Sequence, residues 1–591
     1  MHRFYLSSFP RFIFGATASL CSLVACSGTR LTADEKQAQS ETAIEVNDLE
    51  PGVVNEQGDG FLSIEDQSSG PPNNDVSAGD SENPATCEIA AEQKSYIGCS
   101  FWPTVTYNKV FEEFDFTVVV FNGGVEDAEL QFTGGALAET LVEVVPAGEL
   151  KVVSLPWVPE LKGTEWNSSN TFGDRVYESV RKDRGAYHLE TSFPVTVWQF
   201  NPLQYEKPEA DVAGCHTNFN PGSCFSVSND ASLLIPDTAL TGNYRVPGWG
   251  GEENTIYSGA ASGFAVTATE DNMTVRLQYG PRCEATSRWN EDGMCTQGGG
   301  GLSPQPPSGQ DEFTLNAGDV MQVMGAFTSE AAGSHGDLSG TQVQADKTVQ
   351  VLALNPIANI PDLLTGNADH LEESVLPAEA LGKRYIVAPP TAPTGQIEGG
   401  HVVRLIGNID GTELVWSGDR PADAPDSLNA GEFWVSGVVD KSFSVEGSAS
   451  FSLASYMLGG GKQGGSECLD IGTYPCLGDP AMSMVVTPEQ FRTQYSFLAP
   501  TDYVKNFADI LLPDGANVTL NGATISATEA VIEGWSVARV PLEGDGAYRI
   551  ESDQPVGLQV MGYGHATSYY YPGGLNLKLI SEPPPEIVIV R

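Results

Sequence analysis

Three stretches of this chain share one opening pattern, and this repeat constrains the fold more than any other feature. In each stretch a proline precedes a short polar segment, and a tyrosine then begins an apolar run that another proline ends. The stretches are 234–247, 375–389 and 485–500, and their tyrosines are Tyr244, Tyr385 and Tyr495. Proline suits the first turn of a helix and the end of a strand. The pattern therefore predicts, three times, a proline-started helical turn followed by a strand.

Alternating apolar residues around a tight turn follow each opening. The turns are Asp271-Asn272, Asp410-Gly411 and Asp514-Gly515. Such a pattern is typical of a β-hairpin, so we predict three hairpins. An Ala-Gly turn comes next, and each repeat closes on an apolar strand; these turns lie at 145–149, 315–319 and 428–432, and the closing strands at 194–198, 348–352, 450–454 and 555–559. The repeats predict an all-β fold of tandem antiparallel, sandwich-like units.

A longer period suggests that the four units arose as a duplicated pair. Cys224 lies 12 residues before Pro236, and Cys476 lies 12 residues before Pro488. The predicted units occupy 87–230, 231–372, 373–483 and 484–591.

The cysteines after position 80 form close pairs along the chain, namely Cys87/Cys99, Cys215/Cys224, Cys283/Cys295 and Cys468/Cys476. An even number of cysteines in an exported chain favours disulfides. Zinc sites are the alternative, although no pair has the CxxC spacing that such sites often use. We predict four short-loop disulfides.

The first 25 residues have the features of an export signal. Basic residues precede an apolar stretch, 12–24, which is too short to span a bilayer. The stretch ends in Leu-Val-Ala before Cys26, which resembles the lipobox of bacterial lipoproteins. That resemblance implies a lipid anchor on Cys26 and a place in the cell envelope, at the outer membrane or cell surface. The alternative is an ordinary secretory signal with an incidental cysteine.

Residues 26–86 are rich in Ser, Gly, Asn, Asp and Glu, so we predict a disordered acidic tether. The whole chain carries a formal net charge of −47. This charge repels nucleic acid and anionic lipid, and excludes both as main electrostatic partners. Bound divalent cations, calcium among them, would also fit such a surface.

A search for catalytic patterns finds no HExxH, GxSxG or Walker loop, so we predict no catalytic residues and no cofactor. The Asp-Gly pairs suit turns better than calcium loops, which need alternating carboxylates. The insertion 278–312 contains Arg282 and Trp289, which we predict as a ligand-contact loop. The alternative is surface decoration. Residues 157–185 are polar, compatible with a helix, and carry a basic knot at 181–184.

One segment carries a family resemblance. It begins Asp369-His370-Leu371-Glu372-Glu373 and continues through Pro377 to Tyr385, after a related stretch at 337–352. These residues resemble the signature of the IgGFc-binding protein N-terminal domain family. The resemblance implies extracellular binding or adhesion, with no known catalytic residues to carry over. We interpret the motif residues as structural, with a zinc site at His370 and its neighbouring carboxylates as the alternative.

Together these patterns predict a non-enzymatic, lipid-anchored surface protein that binds an extracellular protein or glycan. An exported hydrolase and a structural envelope protein are the alternatives.

Overall fold

The computed structural model describes residues 83–590, apart from 165–177, 214, 216–221, 254–260, 284–293, 327–332, 363–364, 366–367, 398, 461–476, 501, 527 and 544–545. The signal, Cys26, almost all of the tether, Trp289 and the Cys468/Cys476 pair therefore lie outside the described residues. Three predicted disulfides are present, Cys87–Cys99, Cys215–Cys224 and Cys283–Cys295. The predicted fold class is confirmed, because the chain is all-β with many antiparallel sheets.

The first half of the described chain contains 20 strands. Those before the first repeated opening are β1 (Gly98–Phe101), β2 (Phe116–Phe121), β3 (Ala128–Gly134), β4 (Leu141–Val145), β5 (Leu150–Leu155), β6 (Val180–Lys182), β7 (Tyr187–Phe200), β8 (Glu206–Pro208), β9 (Ser223–Phe225) and β10 (Ala231–Leu233). Those after it are β11 (Asn243–Arg245), β12 (Gly251–Glu253), β13 (Gly263–Ala268), β14 (Met273–Gln278), β15 (Gln310–Leu315), β16 (Val320–Met324), β17 (Gly333–His335), β18 (Gln342–Ala345), β19 (Val349–Ala358) and β20 (Asp369–Ser374).

The second half of the described chain adds 16 strands. They are β21 (Arg384–Val387), β22 (His401–Gly407), β23 (Thr412–Gly418), β24 (Ser427–Leu428), β25 (Phe433–Val435), β26 (Phe443–Gly447), β27 (Phe451–Met457), β28 (Met482–Met484), β29 (Arg492–Ala499), β30 (Lys505–Pro513), β31 (Val518–Leu520), β32 (Ala523–Thr524), β33 (Glu529–Ile532), β34 (Trp535–Pro541), β35 (Gly546–Gly564) and β36 (Thr567–Pro572). Helical segments are short: α1 (Cys87–Gln93), α2 (Pro159–Lys162) and 3₁₀ turns at Glu209–Asp211, Asp237–Ala239, Ala378–Ala380 and Pro488–Gln490. Among the described residues, no helix has the length and apolar character that crossing a bilayer requires.

The strands form four sandwiches with one topology. In the second sandwich, sheet β11-β18-β14-β15 faces sheet β20-β19-β13-β16, and in the third, β21-β26-β23-β24 faces β25-β22-β27-β28. In the first and fourth sandwiches, a single long strand, β7 or β35, pairs with strands of both sheets. The two sheets of these sandwiches therefore share one strand and are not built from separate sets of strands. Apolar side chains from the two inner faces form each core, as in other face-to-face sheets. The exact boundaries between units stay a prediction.

The predicted opening is present at all three positions. Each 3₁₀ turn leads into a strand, β11, β21 or β29, whose tyrosine is almost fully buried. The hydroxyl of Tyr385 donates to the carbonyl of Phe451 at 2.7 Å and accepts from the N–H of Gly382 at 3.2 Å. Tyr244 and Tyr495 bond the equivalent groups, so one buried hydroxyl joins the turn to the opposite strand in each sandwich.

The predicted hairpins are wrong. β13 and β14 lie in different sheets of one sandwich, as do β22 and β23, and β30 does not pair with β31. The Asp-containing turns are therefore arches that carry the chain across the core. Both strands of an arch turn one face to the same core, so the alternation of apolar residues is the same as in a hairpin.

A second arch, the Ala-Gly turn, lies beside the first and bonds to it. Asp410 Oδ1 accepts from the N–H of Ala430, and Asn429 Oδ1 accepts from the N–H of Gly411, both at 3.0 Å. The second sandwich repeats the exchange, since Asp271 accepts from Ala317 and Asn316 accepts from Asn272. The repeated Asp and Asn residues thus serve to cap backbone groups.

The four sandwiches close into a ring. Each sandwich contributes one strand to a common centre, and we call these four strands, β10, β20, β28 and β36, the return strands. β10 contacts β20 and β36, and β28 contacts the same two strands. The segments just before β1 and just after β36 close the ring, because the N–H of Leu577 donates to the carbonyl of Lys94 at 2.8 Å and the N–H of Tyr96 to that of Leu575 at 3.2 Å. We call the four return strands, with the residues just before them, the hub.

Candidate functional site

The hub contains the motif that carries the family resemblance. Asp369 accepts hydrogen bonds from the backbone N–H groups of Asn229 at 2.7 Å and Ser568 at 3.3 Å. Asp230 Oδ2 accepts from the N–H groups of Glu372 at 3.0 Å and Met482 at 3.3 Å. Each carboxyl group therefore joins backbone segments that belong to different sandwiches.

Glu372 binds the side chains around it rather than the backbone. Its carboxylate accepts from Gln199 and Thr106, both at 2.6 Å, from Ser232 at 3.2 Å, and from Asn201. None of its side chain is exposed. A buried carboxyl group needs several hydrogen-bond donors to offset its lost hydration, and this one has four.

Burial controls the electrostatics of the hub. Desolvation raises the pKa of Asp230 well above its usual range, and it does the same for Asp369, with the charge of Asp479 adding to the effect. The pKa of Glu373 is also raised well above its ordinary value, mainly by burial and then by Asp230. These groups hold their protons more tightly in the folded chain than in the unfolded chain.

The remaining motif residues are also internal. His370 and Leu371 are fully buried, and Nε2 of His370 lies 3.4 Å from the hydroxyl oxygen of Thr106. Pro377 bridges to Tyr244 of the preceding opening strand. Within the described ranges, no three His, Cys, Asp or Glu side chains are grouped so that they would hold a metal ion. The arrangement supports a role in joining the sandwiches.

The hub motif and the repeated openings lie within the part of the chain that matches a known protein family. The sequence model of a family described as IgGFc binding protein matches residues 230–562, more than half of the chain. The chain belongs to the IgGFc-binding protein family. The matched range contains the whole motif strand β20 and all three repeated openings, so the resemblance inferred from that motif is confirmed. No curated protein matches the chain.

Within this IgGFc-binding family member, the predicted ligand-contact loop is only partly described. Arg282 is exposed, donates from Nη2 to the carbonyl of Phe433 at 3.0 Å, and lies over the ring of the same residue. The Cys283–Cys295 disulfide closes the loop base. Arg282 therefore contacts the third sandwich, and its proposed ligand contact stays a prediction.

The segment with the basic knot, 157–185, is described at its two ends, since 165–177 lie outside the described residues. Among its described residues, Pro159–Lys162 is helical, and Val180–Lys182 forms strand β6, which extends a sheet of the second sandwich by pairing with β16. Arg181 binds Asp319 at 3.3 Å. The basic residues at 181–184 thus connect the first sandwich to the second sandwich.

A polar cleft between the third and fourth sandwiches was not predicted. It has a volume of about 570 Å³, within the usual range for ligand sites. Its wall includes Thr394, Gln396, Lys505, Asn506, Arg539 and Glu543. These residues come from three distant parts of the sequence, and none belongs to a recognisable motif.

Proposed function

We propose that this protein is an exported, lipid-anchored surface protein that binds an extracellular protein or glycan and has no catalytic activity. Family membership indicates a binding protein. The lipobox-like sequence at Cys26 and the acidic segment 26–86 support attachment through a tether at the outer membrane or cell surface.

The observation that carries the proposal is how the carboxyl groups of the hub are used. Asp230, Asp369 and Glu372 are buried and already accept hydrogen bonds from neighbouring sandwiches. Groups that are buried and engaged in this way hold a scaffold together, and the outer loops of a rigid β scaffold are where binding sites commonly lie.

One observation bears on the hydrolase alternative. Nδ1 of His401 lies 2.7 Å from Oγ of Ser455, the spacing of a nucleophile and its base. Both residues are buried, however, and burial, with the charge of Arg539, lowers the pKa of His401 to about 3. A general base works best with a pKa near the operating pH, so this pair is poorly suited to activate the serine.

Pull-down from extracellular material with the full-length chain, extracted in mild detergent, tests the proposal. We expect retention of a protein or glycan that elutes chemically unchanged. Palmitate labelling of the same chain and of a Cys26→Ser variant tests the anchor. Label that persists after the substitution, or a labelled chain that retains nothing and cleaves its substrates, would contradict the proposal.

A further inference from the structure

The cleft between the third and fourth sandwiches has the size and the chemistry of a sugar site. Thr394 and Gln396 belong to the loop after β21, while Lys505, Asn506 and Arg539 belong to β30 and β34 on the other wall. Amide, hydroxyl, ammonium and guanidinium groups therefore surround one space. Such a set contains both donors and acceptors, as a ligand rich in hydroxyl groups requires.

Two cationic residues of the wall have unused hydrogen-bonding capacity. Lys505 is exposed and forms no ion pair with any described residue. Arg539 uses Nη1 for Asp509 at 2.8 Å and Pro389 at 2.9 Å, but its buried Nη2 has no hydrogen-bond partner among the described residues. A buried donor without an acceptor destabilises the fold, because it has lost its bonds to water and gained none in return. A ligand oxygen admitted to this wall would remove that destabilisation.

The charges of the site favour a neutral ligand. The two basic residues, Lys505 and Arg539, are outnumbered by three acidic ones: Asp509, Glu529, which lies 3.5 Å from Arg539, and Glu543 on the rim. The formal net charge of −47 also opposes the approach of an anionic polymer. A ligand that carries hydroxyl groups and no net charge is repelled neither by the acidic residues of the site nor by the net charge of the chain.

We propose that this cleft binds the end of a neutral oligosaccharide, an inference that rests on the proposed binding function and specifies its ligand. Gln396 and Nη2 of Arg539 bond sugar oxygens from opposite walls, and Lys505 donates to ring or hydroxyl oxygens at the rim. Glu543 accepts from a hydroxyl on the same side.

A glycan array probed with the full-length chain in mild detergent tests this assignment. The panel holds neutral, sialylated and uronic-acid oligosaccharides, and the variants are Gln396→Ala and Lys505→Ala. Both residues are exposed, so both variants should fold. Lys383→Ala, at another exposed lysine without an ion pair to a described residue, is the matched control. We expect binding to neutral glycans that weakens about three- to tenfold in each cleft variant and is unchanged in the control.

Three results would overturn the assignment. Glycan binding that both cleft variants retain in full would place the site elsewhere, and preference for anionic glycans would refute the neutral ligand. Capture of an extracellular protein with no glycan binding would overturn this inference while leaving the proposed binding function intact. Cleavage of the arrayed glycans without retention would instead refute the proposed function.

Discussion

Replacing Tyr385 by phenylalanine tests the repeated opening that organises the fold. The ring packs as before, but the hydroxyl that accepts from the N–H of Gly382 and donates to the carbonyl of Phe451 is lost. Tyr385 is 1% exposed, so water does not replace the missing bonds. An unsatisfied buried group costs about 1–3 kcal/mol, and we expect the free energy of unfolding to fall by about that amount.

The repeat supplies internal replicates for this measurement. Tyr244→Phe and Tyr495→Phe remove the same pair of bonds in the second and fourth sandwiches, so each should cost a similar free energy. Tyr205→Phe is the matched control, because Tyr205 is 4% exposed and forms no hydroxyl hydrogen bond with a described residue. Guanidinium unfolding curves at constant pH report each difference.

The reasoning fails if the three opening variants unfold at the same denaturant concentration as the control. It also fails if Tyr205→Phe is as destabilising as they are, because ring burial rather than the hydroxyl would then stabilise the opening.

Three further predictions concern the hub and the anchor. The free energy of unfolding should fall from pH 5 to pH 8, by up to about 1.4 kcal/mol per pH unit for each buried proton. The reason is that a carboxyl group whose pKa is raised by folding stabilises the fold fully below its unfolded pKa near 4, and this contribution is lost as the pH rises toward the folded pKa. An Asp230→Asn variant whose stability has the same pH dependence as the parent chain would refute this. Glu372→Gln turns an acceptor into a donor that faces Gln199 and Asn201, so denaturant unfolding should show a loss of at least about 2 kcal/mol, and a smaller loss would contradict the described bonds. Cys26→Ser should abolish palmitate labelling and move the chain from the membrane fraction to the soluble one, whereas unchanged fractionation would refute the anchor.

The sequence predicted the repeated parts of the fold well, because the repeats are local. A proline, a polar turn and a tyrosine within a dozen residues determine each 3₁₀ turn and opening strand, and they recur at Tyr244, Tyr385 and Tyr495. Close cysteine spacing likewise indicated three disulfides that the structure contains.

The pairing of the strands could not be predicted from the sequence in the same way. Alternation of apolar residues reports which face of a strand is buried, and it is the same whether the next strand pairs with it or crosses the core. The turn at Asp410-Gly411 therefore looked like a hairpin although it is an arch. The Asn-Ala-Gly segment at 429–431 is visible as a repeat in the sequence, but its hydrogen bonds to the Asp410-Gly411 turn are not.

The hub and the cleft were hidden for a different reason, since both are assembled from distant residues. Asp230, Asp369 and Ser568 meet only when the ring closes, and Gln396 faces Lys505 only when the third sandwich packs on the fourth. The motif around Asp369 revealed the family, yet its role in joining sandwiches required the three-dimensional contacts.

The most direct test of the central claim, that this chain binds without catalysis, follows the fate of its ligands. Full-length protein is incubated with a panel of neutral oligosaccharides and extracellular proteins, and the retained and free fractions are compared by mass spectrometry. The account predicts at least one ligand in the retained fraction with its mass unchanged. Shortened products in the free fraction, with nothing retained, would contradict it.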